Sequence, residues 1–140
     1  MVRHFNPAGV WAPNGRAFNQ GVIQPEGHVI HVTGQVAWDW DSVVIGVGDA
    51  AAQLRKSFEN VETILAEVGG TLADIVSITI YFLDRADLPA IQQIRAEFFA
   101  AETAPASILI QVPGLVVPEL LVEVVPIAVV PPERFHEPTA

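Results

Sequence analysis

Cysteine is absent from the 140-residue chain. That removes disulfides, thiolate nucleophiles and Cys-ligated zinc or iron–sulfur centres together. Positive charge is scarce as well: 7 Lys and Arg stand against 16 Asp and Glu, a formal charge of −9, and Lys56 is the sole lysine. Phosphate contacts dominate nucleic-acid affinity and need clustered cations. Arg55-Lys56 is the one adjacent basic pair, so the charge argues against DNA, RNA or anionic lipid as a partner. Long apolar runs are missing too. The strongest, residues 120–130, is interrupted by Glu123 and Pro126 and falls short of the ~20 residues a membrane helix requires. The segment Met1-Val2-Arg3-His4-Phe5-Asn6-Pro7 has no apolar h-region of a secretory signal. The expectation is a soluble, cytoplasmic protein.

What the chain does hold is apolar: 51% of it is hydrophobic and only 16% charged, the reverse of a disordered composition. The length suits one domain, 1–140, with a polar tail over 131–140. A monomer of this size hides only about two-thirds of its unfolded surface. So apolar a chain is expected to cover more by forming an oligomer.

Turn signals crowd the first 27 residues, in Asn6-Pro7-Ala8-Gly9, Pro13-Asn14-Gly15 and Pro25-Glu26-Gly27. Between them, residues 17–23 read as a strand, and the β-branched stretch 28–36 as its hairpin partner. Asp49 then caps a helix whose Leu54, Phe58, Val61, Leu65 and Val68 form one apolar stripe and which ends at Gly69-Gly70. Its opposite face carries Arg55, Lys56, Glu59 and Glu62. Residues 75–83 form a strand with Ser77, Thr79 and Tyr81 on one face. Residues 89–101 form a second helix along Ile91, Ile94 and Phe98, and strands at 106–112 and 120–130 close the chain. Near-continuous apolar strands are buried on both faces. One face meets the helices and the other is free to meet a partner subunit. The order β-β-α-β-α-β-β defines an α+β domain, a mixed β-sheet with two helices packed on one face.

Familiar catalytic motifs are missing: there is no glycine-rich phosphate loop, no paired histidines on a helix and no nucleophile elbow. His28 and His31 lie three apart on a strand and so face opposite ways, which leaves a shared metal poorly supported. Trp38 and Trp40 face one way in an extended segment, either as a stacking platform for a ligand or as a subunit contact. Glu123 stands inside Leu120-Leu121-Val122-Glu123-Val124-Val125, where a carboxylate is costly unless paired or hydrogen-bonded. Burial raises such a carboxyl toward the range of a general acid–base. A structural glutamate held by an arginine or a backbone amide is the equal alternative.

Several segments in order carry a resemblance: Phe18-Asn19-Gln20-Gly21-Val22, Thr33-Gly34-Gln35-Val36, Glu59-Asn60-Val61, Ile78-Thr79-Ile80-Tyr81-Phe82-Leu83-Asp84, Glu97-Phe98-Phe99, Ala104-Pro105-Ala106 and Val122-Glu123-Val124. Over residues 6–130 the chain resembles the RidA/YjgF family of imine and enamine deaminases. The resemblance implies a chorismate-mutase-like subunit in a homotrimer whose sheets face inward, with ligand clefts between subunits. It implies attack of a bound water on the C=N carbon of a small-molecule substrate, releasing ammonia without metal or organic cofactor.

By the same resemblance Glu123 places or activates the water, Thr33 keeps the hydroxyl of the family's serine, and Gly34 supplies the adjoining backbone. Phe18 stands for a tyrosine, without its hydroxyl, and Gln92 stands where asparagine is common. Ser107, followed by Ile108, occupies the position of the arginine that holds the substrate carboxylate. A serine cannot reproduce a bidentate guanidinium pair. The hydrogen bonds lost are worth ~1.5–3 kcal/mol each, roughly one to two orders of magnitude or more in affinity. The expectation is therefore a deaminase with a non-standard substrate, and Arg16, two residues before Phe18, is a candidate cation entering from another direction. The alternative is a trimer that binds a small metabolite without turnover. Some family members are named as endoribonucleases, against which the −9 charge argues here.

Overall fold

The computed structural model describes residues 2–139. Its central sheet has four strands in the order β3-β6-β4-β5, where β3 is His28–His31, β4 Ile75–Phe82, β5 Ala106–Gln111 and β6 Val122–Val130. Strand β6 runs antiparallel to both neighbours, while β4 and β5 are parallel. A parallel pair needs a crossover, and α2 (Leu88–Phe98) supplies it. A small sheet pairs β1 (Arg3–Phe5) with β2 (Gly21–Ile23).

Helix α1 (Ala50–Ala66) starts where Asp49 accepts a hydrogen bond from the Ala52 amide at 3.0 Å. This satisfies one of the amides a helix start leaves unpaired. Leu54, Phe58, Val61 and Leu65 are all fully buried. They pack with Ile78, Ile80, Val122 and Val124 of the sheet and with Ile91 and Ile94 of α2 in one core. Gly69 adopts φ +85° beyond the helix, and the Arg134 carbonyl occupies the space a β-carbon would need there.

One expectation needs correction. Residues 17–23 and 28–36 do not form a hairpin: β2 pairs with β1, and β3 pairs with β6. The chain crosses from one sheet to the other at Gly27 (φ +153°), whose missing side chain admits the Val130 backbone. The long, regular backbone of β6 offers β3 a better ladder than the three-residue β2 does. The tail is polar, but it is tied down. Arg134 pairs with buried Asp74, and Thr139 donates to Glu67 at 2.8 Å from both its amide and its hydroxyl.

The alternation along β4 and β6 separates two faces. Ile78, Ile80, Phe82, Val122 and Val124 point to the helices. In register on the other face lie Ser77, Thr79 and Tyr81 beside Ile127, Val125 and Glu123. Ile108 and Ile110 of β5 join that face and are 56% and 38% exposed. The sheet therefore presents an apolar surface that no element among the described residues covers.

Candidate active site

The sequence-selected residues gather at two places. At the first, Glu123 on β6 lies half-buried on the open face, opposite Tyr81. Its neighbour Val124 bridges Gln35, N–O distances of 2.8 and 2.9 Å running both ways. That bridge draws the Thr33-Gly34-Gln35 segment over the strand. Any side chain on Gly34 would collide with the Glu123 carboxylate and push it from its place, so the glycine lets the carboxylate lie against this segment. Thr33 is exposed beside it.

Thr33 and Gly34 also line a cavity of about 520 Å³ with Trp38, Trp40, Lys56 and Asn60. The Asn60 amide donates to the carbonyls of Val36 and Trp38, both at 3.1 Å, and fixes the cavity wall. Trp40 is 98% exposed and Trp38 half-buried, so neither belongs to the buried core.

At the second place, Phe18 is packed by its neighbour Asn19. The buried Asn19 amide donates to Ala101 and Ala104 carbonyls at 3.0 and 2.8 Å, and its oxygen accepts from Asn6 at 2.9 Å. This lays residues 17–20 against the edge strand β5. Phe18 and Ser107 line cavities on both sides of that edge. One, about 300 Å³, includes Ile108 and Thr79; the other, about 190 Å³, includes Arg16 and Gln92. Exposed Arg16 donates to the Pro13 carbonyl at 2.7 Å, and its guanidinium lies 5.3 Å from the Phe18 ring centre.

The same cavity contains a residue that reading the sequence missed. Arg95 of α2 is 2% exposed and lies 5.5 Å from the Phe18 ring centre. It donates to Ser107 Oγ at 2.9 Å and to Gln92 Oε1 at 2.5 Å. Burial first, and the nearby Arg16 charge second, push its pKa down to about 10. The signal was present in the helix spacing. Arg95 follows Ile91 by four residues and Gln92 by three, which sets it on the inward side of the helix.

The two places are separate within one chain. Glu123 shares the register of Tyr81 on β4, whereas Ser107 shares that of Ile78. Two strand spacings and three residues separate them, roughly 14 Å, and they occupy opposite faces. A substrate of a few heavy atoms cannot touch both in a single subunit.

A mixed sheet with two helices packed on one face is an α+β fold, and it carries a carboxylate under a glycine loop apart from a cationic edge pocket. Residues 12–130 match the family described as Endoribonuclease L-PSP, and the chain belongs to this RidA/YjgF family. It is 42% identical over 101 residues, 72% of this chain and 79% of the other, to a protein of Acinetobacter baylyi named 3-aminoacrylate deaminase RutC. Among solved structures it is similar to YyfB of Yersinia pestis, a Rid-family protein of unknown function. There the TM-score is 0.86 at 30% identity, covering 92% of this chain and 98% of that one. It is also similar to Rv2704 of Mycobacterium tuberculosis, with TM-score 0.65, 29% identity and coverage of 80% and 86%. Among the described residues no helix is long and apolar enough to cross a membrane.

Proposed function

We propose that the protein hydrolyses a reactive imine or enamine to a carbonyl compound and ammonia in clefts between the subunits of a homotrimer. The observation that carries this reading is the incompleteness of the single chain. The Thr33-Gly34-Glu123 group lies on the open face, whereas Phe18, Gln92 and Ser107, with Arg16, line the cavity on the helix side of the β5 edge, and Ile108 stands beside Ser107 on the open face. Among the described residues nothing covers the apolar surface beside them, with Ile108, Ile110, Val125 and Ile127. A head-to-tail contact, repeated to closure, sets one group of each subunit against the other group of the next. It also buries the exposed isoleucines, which favours association.

In such a cleft Glu123 takes a proton from water as the oxygen adds to the C=N carbon. It returns that proton to nitrogen to give a carbinolamine; the new hydroxyl proton then passes through the same carboxylate to nitrogen as the C–N bond breaks, and ammonia leaves with the carbonyl compound. An enamine joins the same path after protonation at carbon. The Thr33 hydroxyl and the Gly34 backbone orient the water or the nitrogen. The RutC relative, named for deamination of an enamine, supports the same chemistry. With Ser107 at the place the resemblance gives to arginine, the substrate is not held in the usual way, and an anionic end must meet a cation from elsewhere. RNA cleavage forms no part of the proposal, because −9 charge repels a polyanion.

The test is ammonia release from imines generated enzymatically in situ, comparing wild type with Glu123→Ala. The proposal expects the variant to fall to the uncatalysed background while its native mass remains trimeric. Equal release by both proteins would end it. A second reading, metabolite binding without turnover, is favoured by Phe18, which offers no hydroxyl to the cleft. It would be established by a ligand recovered chemically unchanged.

A further inference from the structure

The cavity on the helix side of the β5 edge holds a charge with no counter-ion. Among the described residues no carboxylate pairs with Arg95, and Nε of its guanidinium has no hydrogen-bond acceptor although it is buried. Its two hydrogen bonds go to neutral oxygens, Ser107 Oγ and Gln92 Oε1, and leave the rest of its donor fork free. The nearest charge that affects it is another cation, Arg16. A buried, unpaired charge is among the costliest features a fold can keep. In a chain carrying 16 carboxylates, a structural partner was available and is not used.

Both neutral contacts act as positioners. Gln92, three residues earlier on α2, and Ser107, across on β5, hold the fork from two elements, so its orientation is set before a ligand arrives. Ser107 is small enough to admit the guanidinium, and its hydroxyl lies 2.9 Å from it. An arginine at position 107 would place two like charges in one cavity of about 190 Å³.

We propose that Arg95 is the specificity-determining residue of the cleft, binding the carboxylate of a small 2-imino or 2-enamino acid through its free N–H groups. The positive charge is supplied from helix α2 instead of strand β5, with Ser107 as its support. Arg16, exposed at the mouth of the same cavity, adds attraction for the anion. The inference rests on the deaminase reading for the reacting end of the ligand, but the carboxylate contact stands separately from it.

Calorimetric titration of the full-length trimer with 2-oxobutanoate, a stable 2-oxo acid carrying the same carboxylate, tests the assignment. Wild type is expected to bind saturably, and Arg95→Met to lose roughly tenfold or more in affinity. Arg95→Lys keeps the charge without the fork and is expected to fall between them. It also serves if the methionine variant does not assemble. No binding by wild type, or Arg95→Met or Arg95→Lys binding as tightly as wild type, would overturn the assignment. The two proposals fail in different ways. If Glu123→Ala releases ammonia at the wild-type rate while Arg95→Met loses the 2-oxo acid, the reaction is refuted and the anchor stands. If Glu123→Ala is inactive while Arg95→Met binds and turns over normally, only the anchor is refuted.

Discussion

Replacing Arg95 by methionine should make the unliganded protein more stable. The guanidinium is 2% exposed, and burial pushes its pKa down to about 10, below the ordinary arginine range, a penalty of about 3 kcal/mol against the charged form. Methionine removes that charge and fills most of the stem's volume with a flexible apolar chain. Against this, Ser107 Oγ and Gln92 Oε1 each lose a donor, about 1 kcal/mol apiece when water can replace it. The net expectation is a gain of about 1–2 kcal/mol, or roughly 3–6 °C in Tm.

The gain depends on pH in a defined direction. A cation whose folded pKa is lowered binds fewer protons folded than unfolded from about pH 10 up to the ordinary arginine pKa, so wild-type stability rises with pH across that window. Below pH 10 the penalty is present in full, and the advantage of Arg95→Met narrows above it. Thermal and urea unfolding followed by circular dichroism, at matched protomer concentration, reads both effects. Loss of 2 kcal/mol or more at pH 7 would show that the guanidinium is a structural strut, and the reasoning would fail.

Gly34→Ala forces a β-carbon into the Glu123 carboxylate. It should cut ammonia release by an order of magnitude or more without changing native mass; full activity would show that the carboxylate's position is immaterial. Gln53, fully buried, donates to Gly46 and Glu119 carbonyls and accepts from the Leu121 amide at 2.8 Å. Gln53→Ala strands these groups at the entrance to β6 and should cost about 2–4 kcal/mol in urea unfolding. Phe58→Ala empties the contact with Phe98 and Phe99 and should cost about 3–5 kcal/mol; a cost below 1 kcal/mol would contradict the core described here.

What was legible in the sequence was local. The stripe Leu54-Phe58-Val61-Leu65 and the Asp49 cap identify α1 because both depend on spacings within one helix, and the alternation around Ser77, Thr79 and Tyr81 identifies β4 and its faces. Strand partners were not legible. Pairing of β3 with β6 joins segments about a hundred residues apart, and no turn motif near Gly27 encodes it. A three-residue strand such as β1 is too short to show a period.

The site followed the same division. Glu123 stands out as a carboxylate in an apolar strand, whereas the helix spacing that turns Arg95 inward does not say what its guanidinium meets there. Only its contacts with Ser107 and Gln92, on two elements, reveal a cation aimed into a cavity. Under the proposal that Arg95 anchors the substrate, the serine at position 107 marks a relocation of the cation and not its loss.

Sharing of the cleft between subunits is the claim on which the rest depends, and mixed trimers test it. Glu123→Ala damages one half of the cleft, and Ser107→Phe fills the other. Each is expected to be inactive alone. Unfolded together in equal amounts and reassembled, they should recover about a quarter of the wild-type rate of ammonia release, because each interface draws its two halves independently. A mixture no more active than the separate variants would contradict a shared cleft.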